Sequence, residues 1–266
     1  MARLDIYLTE KGLAGSREKA KQLITGGRVT VNGTAVTKPA FSVPEGAEVS
    51  VSAGEDYVGR GAYKLLKAFE VFPIDVHGKL CADIGASTGG FTQVLLEKGA
   101  AKVRAVDVGH GQLDPKLCAD SRVVNCEGVN VRYLPPDFFG TEVTFACCDL
   151  SFISLTQILP ALTAALPENA EVVTLIKPQF EAGRAALNKS GVVKDKRSHT
   201  QVLESLAAFF PTVGLTVCGL DYSPISGGDG NIEYLAFLKK GTFPAVSIDF
   251  KRLVDKAFAD IRSVQK

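Results

Sequence analysis

Two lysines and two carboxylates in this chain have the chemistry needed to activate an alcohol. Asp149 and Lys177 each follow an apolar run directly, Lys64 opens an amphipathic stretch, and Glu233 lies near the start of another apolar run. An alcohol is a far weaker acid than any side-chain acid. A lysine can therefore stabilise the developing oxyanion, or take the proton if burial lowers the lysine pKa. Carboxylates nearby orient the lysines, so this set suits chemistry on a hydroxyl group.

Other catalytic arrangements find no support in the sequence. The six cysteines show neither CxxC nor Cys/His metal spacing, and most lie in apolar runs, which predicts reduced thiols that behave as small hydrophobes. The three histidines, His77, His110 and His199, have no catalytic or metal-binding spacing, and we expect them on the surface or in loops. The sequence therefore predicts no bound metal and no cysteine nucleophile.

The stretch CADIGASTGGF, residues 81–91, is typical of a strand, a tight glycine turn and a helix start. Open α/β sheets bind ligands at such turns, where the backbone passes close to the ligand and a helix N-terminus faces it. The turn is not GxGxxG and lacks the Lys-Ser/Thr pair of a P-loop, so it does not predict a pyrophosphate ligand. It favours S-adenosylmethionine, although the same turn also occurs as a packed βα corner without a ligand.

Polar residues follow several of the apolar strands, and carboxyl ends of parallel strands meet at one edge of a sheet. Asp107, after the second strand, is placed to accept hydrogen bonds from ribose hydroxyls. Asp83 and the glycine turn would hold the amino-acid end of the cofactor, and residues 127–130 would lie beside its adenine. The predicted cofactor site is Asp83, Gly85, Ala86, Ser87, Thr88, Gly89, Gly90, Phe91, Asp107, Asn130 and Asp149.

The order of elements predicts an α/β fold. Five nearly continuous apolar strands alternate with helices, which is typical of a parallel sheet covered on both faces. Two further strands, at 215–221 and 231–238, are joined by the turn-rich SPISGGDG and are expected to pair antiparallel at one edge. A seven-stranded sheet with an antiparallel edge hairpin is the Rossmann-like fold of class I S-adenosylmethionine-dependent methyltransferases. A last amphipathic helix covers residues 248–264.

The first 52 residues have shorter helix and strand patterns than the rest of the chain and predict a small α+β domain. Ser16 can cap a helix that runs to Ile24, and Val29–Val31 alternates as a strand before the hairpin turn Asn32-Gly33. Basic residues cluster around the helix, although a solvated basic face explains them equally well. Residues 53–62 are a Gly-rich linker, and 63–266 form the larger domain. The net charge is only +1, so any nucleic-acid site must be local.

These motifs resemble known families over nearly the whole chain. Residues 2–51 are similar to the S4-like RNA-binding domain. RGAYKL around Lys64, DIGASTGGFT, DVGHGQL, DLSFISL, LIKPQFE and GNIEYL resemble, in order, the motifs of the TlyA (haemolysin A) family of ribosomal RNA methyltransferases. That family joins an S4-like domain to an FtsJ-like methyltransferase domain. The resemblance implies that Lys64, Asp149, Lys177 and Glu233 are the Lys-Asp-Lys-Glu tetrad of ribose 2′-O-methyltransferases.

The resemblance also implies a substrate. The family methylates cytidines in 23S rRNA, and in some members 16S rRNA, within ribosomal subunits. The loop at 184–197 could grip RNA phosphates beside the tetrad, or could simply be a solvated loop. The expected RNA-binding residues are Arg3, Arg17, Lys19, Lys21, Arg28, Arg60, Arg184 and Lys189.

In the predicted mechanism, Lys177 activates the 2′-hydroxyl, Asp149 and Glu233 steer it, and Lys64 stabilises the oxyanion. Two alternatives stay open: a methyltransferase with a non-RNA substrate, and a non-catalytic RNA-binding factor of ribosome assembly. No signal pattern and no bilayer-spanning apolar run is present, which predicts a cytoplasmic protein. A membrane-damaging role has no support, because no amphipathic pore segment is found.

Overall fold

The computed structural model describes residues 2–32, 34–51, 57–227, 229–244 and 246–265. The chain divides into two compact units, Met1–Asp56 with Ala259–Lys266, and Tyr57–Phe258. Residues 52–56 lie outside the described residues. The predicted limits of the linker and of the two domains therefore remain predictions.

In the small unit, the described residues between 2 and 51 form two helices and a three-stranded antiparallel sheet in the order β2-β1-β3. Its elements are α1 (Leu4–Glu10), α2 (Arg17–Thr25), β1 (Val29–Val31), β2 (Thr34–Ala35) and β3 (Val49–Val51). The hydroxyl of Ser16 accepts from the Lys19 amide at 3.1 Å, which confirms the predicted cap. The sequence did not reveal α1, because Arg3 supplies no side-chain cap and the inward face includes Asp5. Gly33 of the predicted turn lies outside the described residues.

The large unit is built on a seven-stranded sheet, as predicted. The strand order is β6-β5-β4-β7-β8-β10-β9; the first five strands are parallel, and β10 is antiparallel to both of its neighbours. The strands are β4 (Leu80–Ile84), β5 (Lys102–Asp107), β6 (Val123–Glu127), β7 (Val143–Cys148), β8 (Glu171–Ile176), β9 (Leu215–Tyr222) and β10 (Tyr234–Lys240).

The helices of this unit cover the sheet and carry its connections. They are α3 (Ala62–Val71), α4 (Gly90–Glu97), α5 (Pro115–Cys118), α6 (Leu159–Ala165), α7 (Pro178–Glu181), α8 (Lys196–Phe209) and, in part, α9 (Phe250–Gln265). The predicted helix from 155 is a 3₁₀ turn, Leu155–Gln157, followed by α6, because Pro160 has no amide proton and belongs in a first helical turn. The four-residue helices α5 and α7 are too short to produce a periodic pattern and were not predicted.

The strand registers bring the polar strand ends together at one edge. Ile84 pairs with Val106 and with Cys148, so Gly85 and Asp149, which follow their strands, lie level with Asp107, the last residue of β5. Tyr234 pairs with Ile176, which sets Glu233 beside Lys177. The antiparallel direction of β10 therefore brings its start to the edge where the parallel strands end.

Candidate functional site

The four candidate catalytic side chains form one chain of ion pairs. Lys64 Nζ lies 2.8 Å from Glu233 Oε2 and 3.0 Å from Asp149 Oδ2. The other oxygen of Asp149, Oδ1, lies 2.6 Å from Lys177 Nζ. The order in space is Glu233, Lys64, Asp149 and Lys177. Glu233 thus pairs with Lys64, whereas the sequence suggested that it would steer Lys177.

The four side chains of the ion-pair chain are largely buried, so removing any one of them is costly. The side chains of Lys64, Lys177 and Glu233 are 10%, 8% and 2% exposed, and that of Asp149 is 16% exposed. Lys64 extends from α3, and its neighbours on that helix, Ala62, Leu65 and Ala68, belong to the core. The four side chains hold one another in place, because removing one partner would leave a buried charge with nothing to compensate for its lost solvation.

The electrostatics fix the charge states of two members. Burial alone would lower the pKa of Lys64, but the carboxylates of Asp149 and Glu233 outweigh it and raise that pKa above its ordinary value. Burial likewise acts to raise the pKa of Asp149, and the two lysines overcome it, so this pKa is lowered. Lys64 is therefore a permanent ammonium at neutral pH. It is suited to stabilising negative charge and not to taking a proton.

Ser151 is a member of this site that the sequence analysis missed. Lys177 Nζ donates a hydrogen bond of 2.9 Å to Ser151 Oγ, in addition to its ion pair with Asp149. The two contacts fix the direction of the ammonium. The signal in the sequence was the serine two positions after Asp149 in DLSFISL. A single hydroxyl in a loop carries no periodicity, so only the structure identifies it.

Two cavities meet at this group of residues. One, of about 430 Å³, is lined by all four members of the ion-pair chain and by the glycine turn. The other, of about 580 Å³, is lined by Asp107, Asn130 and Leu150. Both cavities share Gly85, Ser87, Asp149, Ser151 and Phe152. The ion-pair chain therefore lies beside a pocket of the size and position expected for a nucleoside.

Asp107 is held in a fixed orientation at the second cavity. One carboxylate oxygen accepts from the Ser87 amide and the other from the Gly109 amide, both at 2.8 Å. A carboxylate has about four acceptor sites, so two remain for the paired hydroxyls of a ribose. Asn130 lines the same cavity, and its side chain accepts from the Arg132 amide at 3.1 Å. The carboxylate of Glu127 accepts from the amides of Gly111, Gln112 and Leu113, and its predicted place beside the adenine stays a prediction.

Gly85, where the two cavities meet, has no room for a side chain. Gly85 has φ of +82°, and a Cβ there would lie 2.8 Å from the carbonyl oxygen of Asp149. Gly89 has φ of +96° and packs against Leu117 and Leu113, so it shapes the turn without lining either cavity. The other predicted turn residues line the first cavity; they are Ala86, Ser87, Thr88, Gly90 and Phe91.

Asp83 is fully buried beneath the turn. Its Oδ2 accepts from the amide of Thr92 at 2.8 Å and from the Thr92 hydroxyl at 2.7 Å. Burial raises the pKa of Asp83 to about 7, although the Thr92 hydrogen bonds act against that rise. The carboxyl therefore ties the end of β4 to the first turn of α4. Its predicted contact with the amino-acid end of a cofactor stays a prediction.

The residues predicted to bind RNA occupy different environments. In the small unit, Arg3 and Arg17 both contact the buried Asp5 at 3.0 Å and remain about half exposed. Lys21 lies 3.4 Å from Glu18, and Lys19 and Arg28 are half-buried. In the large unit, Arg60 lines the first cavity, while Arg184 and Lys189 are exposed in the loop before α8.

Two further expectations concern histidines and membranes. His77 and His110 are exposed as predicted, but the prediction for His199 was wrong: it is fully buried in α8, where both ring nitrogens have polar partners. None of the helices in the described part of the chain is both long and apolar enough to cross a membrane. Among the described residues, no three His, Cys, Asp or Glu side chains are grouped to hold a metal ion.

Comparison with known proteins agrees with this geometry. Residues 57–240 match the FtsJ-like methyltransferase family, and residues 2–49 match the S4 domain. The 16S/23S rRNA (cytidine-2′-O)-methyltransferase TlyA of Mycobacterium tuberculosis is 43% identical over 248 residues, which cover 92% of each protein. Hemolysin A of Brachyspira hyodysenteriae is 43% identical over 235 residues, 88% of this chain and 98% of that one.

A solved structure extends the likeness to both units. A hemolysin-named protein from Streptococcus thermophilus matches with a TM-score of 0.77 at 43% identity, covering 99% of this chain and 98% of that chain. The chain therefore belongs to the FtsJ-like methyltransferases and, within them, to the TlyA (haemolysin A) family that carries an N-terminal S4 domain.

Proposed function

We propose that this protein transfers a methyl group from S-adenosylmethionine to the 2′-hydroxyl of a cytidine in ribosomal RNA. The observation that carries the proposal is the ion-pair chain Glu233–Lys64–Asp149–Lys177 at the junction of two cavities. One cavity is large enough for a nucleoside and is lined by the oriented carboxylate of Asp107. The other is lined by Lys64 and Lys177, the two lysines suited to chemistry on a hydroxyl.

The residues present fit S-adenosylmethionine. Asp107 offers its remaining acceptor sites to ribose hydroxyls, and Asn130 would lie beside the base. Gly85 lines both cavities and lets the turn pass close to the Asp149 carbonyl oxygen, where a Cβ would not fit. When bound, this cofactor supplies a methyl group on a positively charged sulfur. The rest of the reaction depends on groups of this chain.

In the proposed mechanism, the Lys177 ammonium first releases a proton to solvent, and the amine then takes the proton of the target hydroxyl as the methyl group is transferred. Asp149 and Ser151 hold its nitrogen in position. Lys64 stays an ammonium, because two carboxylates raise its pKa, and it stabilises the negative charge that develops on the oxygen. Glu233 acts through Lys64, which is the residue it contacts. The transfer needs no covalent intermediate on the protein.

The substrate assignment draws on the relatives and on the S4 domain. TlyA of Mycobacterium tuberculosis is named as a methyltransferase of cytidine 2′-oxygens in 16S and 23S rRNA. We propose that this chain acts on the same class of RNA within ribosomal subunits, in the cytoplasm. The S4 domain and the exposed Arg184 and Lys189 would contact RNA phosphates, which position a structured RNA without reading its sequence.

The test uses purified 30S and 50S subunits with tritiated S-adenosylmethionine, followed by mapping of the labelled nucleotide. Wild-type protein should label a cytidine ribose, and Lys177→Ala should abolish the labelling while binding the cofactor with nearly unchanged affinity. Lys67→Ala, which removes a lysine of α3 paired with Glu70 near the surface, is the matched control and should keep full activity. Full activity of Lys177→Ala would overturn the assignment of the four residues. Label in a protein or small molecule would overturn the substrate.

A further inference from the structure

The basic loop before α8 contains a short closed hairpin at residues 187–193. Leu187 and Val193 form an antiparallel bridge, and the amide of Asn188 donates to the Val192 carbonyl at 3.1 Å. The side chain of Asn188 accepts from the amides of Ser190 and Val192, both at 2.9 Å. Lys189 is exposed at the tip. The segment therefore has a defined shape that presents a cation to solvent.

Asn231 fastens the base of this hairpin. It is fully buried, its Nδ2 donates to the Gly191 carbonyl at 3.1 Å, and its Oδ1 accepts from the Val193 amide at 3.1 Å. The amide side chain thus bridges two backbone groups of the hairpin. A buried amide that makes two such bonds leaves both backbone groups unpaired when it is removed.

His199 supplies a second fastening at the same point. Its Nε2 lies 2.9 Å from the Val193 carbonyl, and its Nδ1 lies 2.9 Å from the Tyr234 hydroxyl. A carbonyl only accepts, so Nε2 carries the proton and Nδ1 accepts from Tyr234. Val193 is consequently held through its amide by Asn231 and through its carbonyl by His199.

The two fastenings enclose a catalytic candidate. Glu233 lies in the sequence between Asn231, which contacts the hairpin, and Tyr234, which contacts His199, and its side chain pairs with Lys64 at 2.8 Å. All of these side chains are buried: Asn231, Tyr234 and His199 are 0% exposed. A displacement of the hairpin is therefore transmitted, through the hydrogen bonds of Asn231, His199 and Tyr234, to the backbone that positions Glu233.

We propose that Asn231 and His199 are positioning residues that fasten an RNA-gripping hairpin, residues 187–193, to the segment carrying Glu233. Lys189 contacts an RNA phosphate, and the fastening holds that contact in register with the target hydroxyl at Lys177 and Lys64. The proposal rests on the proposed function in one respect, that the substrate is RNA. It adds that RNA binding at the hairpin and the state of the ion-pair chain are coupled through Asn231, His199 and Tyr234.

The test is a double-mutant cycle that measures how tightly the full-length protein binds the ribosomal subunit it methylates, 30S or 50S, at several salt concentrations. Lys189→Ala should weaken binding and reduce the slope of log affinity against log salt by about one phosphate contact. Asn231→Ala should produce the same loss of slope. Adding Lys189→Ala to Asn231→Ala should then change the affinity little, because in Asn231→Ala the hairpin no longer holds Lys189 in position to contact the phosphate. Additive losses, or an Asn231→Ala variant with unchanged affinity, would overturn the proposal.

Two further measurements separate positioning from general damage to the fold. Tyr234→Phe keeps the core ring and removes only the hydroxyl that donates to His199, and it should give a smaller loss of the same kind. Hydrogen exchange of the Val192 and Val193 amides should accelerate in Asn231→Ala and Tyr234→Phe but not in Lys189→Ala. Unchanged exchange at both amides would contradict the fastening. A wild-type protein that binds neither subunit would instead overturn the proposed function, so the two failures are distinguishable.

Discussion

The ammonium of Lys64 lies 2.8 Å from the carboxylate of Glu233, so α3, which precedes the sheet in the chain, is tied to the start of β10, the last strand of the sheet in chain order. Lys64 also contacts Asp149 at 3.0 Å, and it is therefore the cation on which both carboxylates depend. Lys177 contacts only one of them among the described residues. This asymmetry gives the two lysines different expected roles and different effects on stability.

Lys64→Met should destabilise the protein strongly. The substitution keeps the length of the side chain but leaves two buried carboxylates without their shared partner, which costs about 3–5 kcal/mol in comparable buried pairs. Urea unfolding of the full-length protein measures this cost. Lys67→Met on the same helix removes an exposed i,i+3 pair with Glu70 and should cost less than about 1 kcal/mol. Equal costs for the two variants would contradict the central position of Lys64.

Much of this site could be predicted because the strands end where polar residues begin. Asp107, Asp149 and Lys177 each follow an apolar run, and the topology rule for parallel sheets brings such ends to one edge. The pairing of Glu233 could not be predicted. It depends on the register of Tyr234 against Ile176 and on the rotamer of a lysine from α3, and neither leaves a trace in a periodic pattern.

Ser151→Ala should slow methyl transfer without weakening cofactor binding. The substitution removes the acceptor that, with Asp149, directs the ammonium of Lys177, and hydrogen bonds to charged groups contribute about 1.5–3 kcal/mol. We expect the single-turnover rate to fall by roughly 10- to 100-fold. Ser205→Ala, which removes an exposed hydroxyl of α8, should leave the rate unchanged. A Ser151→Ala rate within twofold of wild type would contradict the role given to Ser151.

Glu181 ties together the two segments that carry Asp149 and Lys177. Its carboxylate accepts from the Ser154 hydroxyl at 2.6 Å and from the Leu155 amide at 2.8 Å. Ser154 and Leu155 lie in the loop that follows β7, and Glu181 is the last residue of α7, so these bonds join the two segments. Glu181→Ala should lower the methylation rate, because the loop and α7 lose their link. Glu181→Gln should restore most of it, since the amide can accept from Leu155 and donate to Ser154. Equal rates for the two variants would contradict a hydrogen-bonding role.

Glu181 and two of the hairpin anchors, Asn231 and Tyr234, lie within the motifs LIKPQFE and GNIEYL, but their types and spacing predicted no role for them. A glutamate at the end of a four-residue helix is indistinguishable in a sequence from a solvated surface residue. His199 shows the same difficulty: α8 was predicted, but a histidine on its inward face becomes intelligible only when Val193 and Tyr234 are seen to hold both ring nitrogens. Hydrogen bonds between loops depend on long-range packing, which local patterns do not encode.

Asp83 should make the stability of the large unit depend on pH. Burial raises its pKa to about 7, from an ordinary value near 4, so the folded state holds this proton more tightly than the unfolded chain. The contribution of Asp83 is therefore complete below about pH 4 and is lost as the pH rises through about 7. The full effect is roughly 4 kcal/mol at 1.36 kcal/mol for each unit of pKa.

Asp83→Asn tests this dependence, because asparagine stays neutral and can still accept from the Thr92 amide. Between pH 5 and pH 8 the unfolding free energy of this variant should fall less than that of wild type, as measured by urea denaturation. Asp75→Asn, at an exposed carboxylate, should keep the wild-type profile. Parallel profiles for wild type and Asp83→Asn would contradict a protonated Asp83.

Asp5 should organise the RNA-binding face of the small unit. This buried carboxylate accepts from Arg3 Nε and from Arg17 Nε at 3.0 Å, and the Arg3 hydrogen bond in particular lowers its pKa to about 2. Asp5→Asn keeps the shape but loses the charge that orients both guanidinium groups. We expect Asp5→Asn to bind the ribosomal subunit more weakly. In wild type the lowered pKa of Asp5 stabilises the folded state fully above about pH 4, and this contribution is lost as the pH falls through about 2; the variant should lack it at every pH. Glu10→Gln, at the exposed end of the same helix, should change neither property. If Asp5→Asn binds RNA as tightly as wild type, Arg3 and Arg17 do not need their anchor to reach the phosphates.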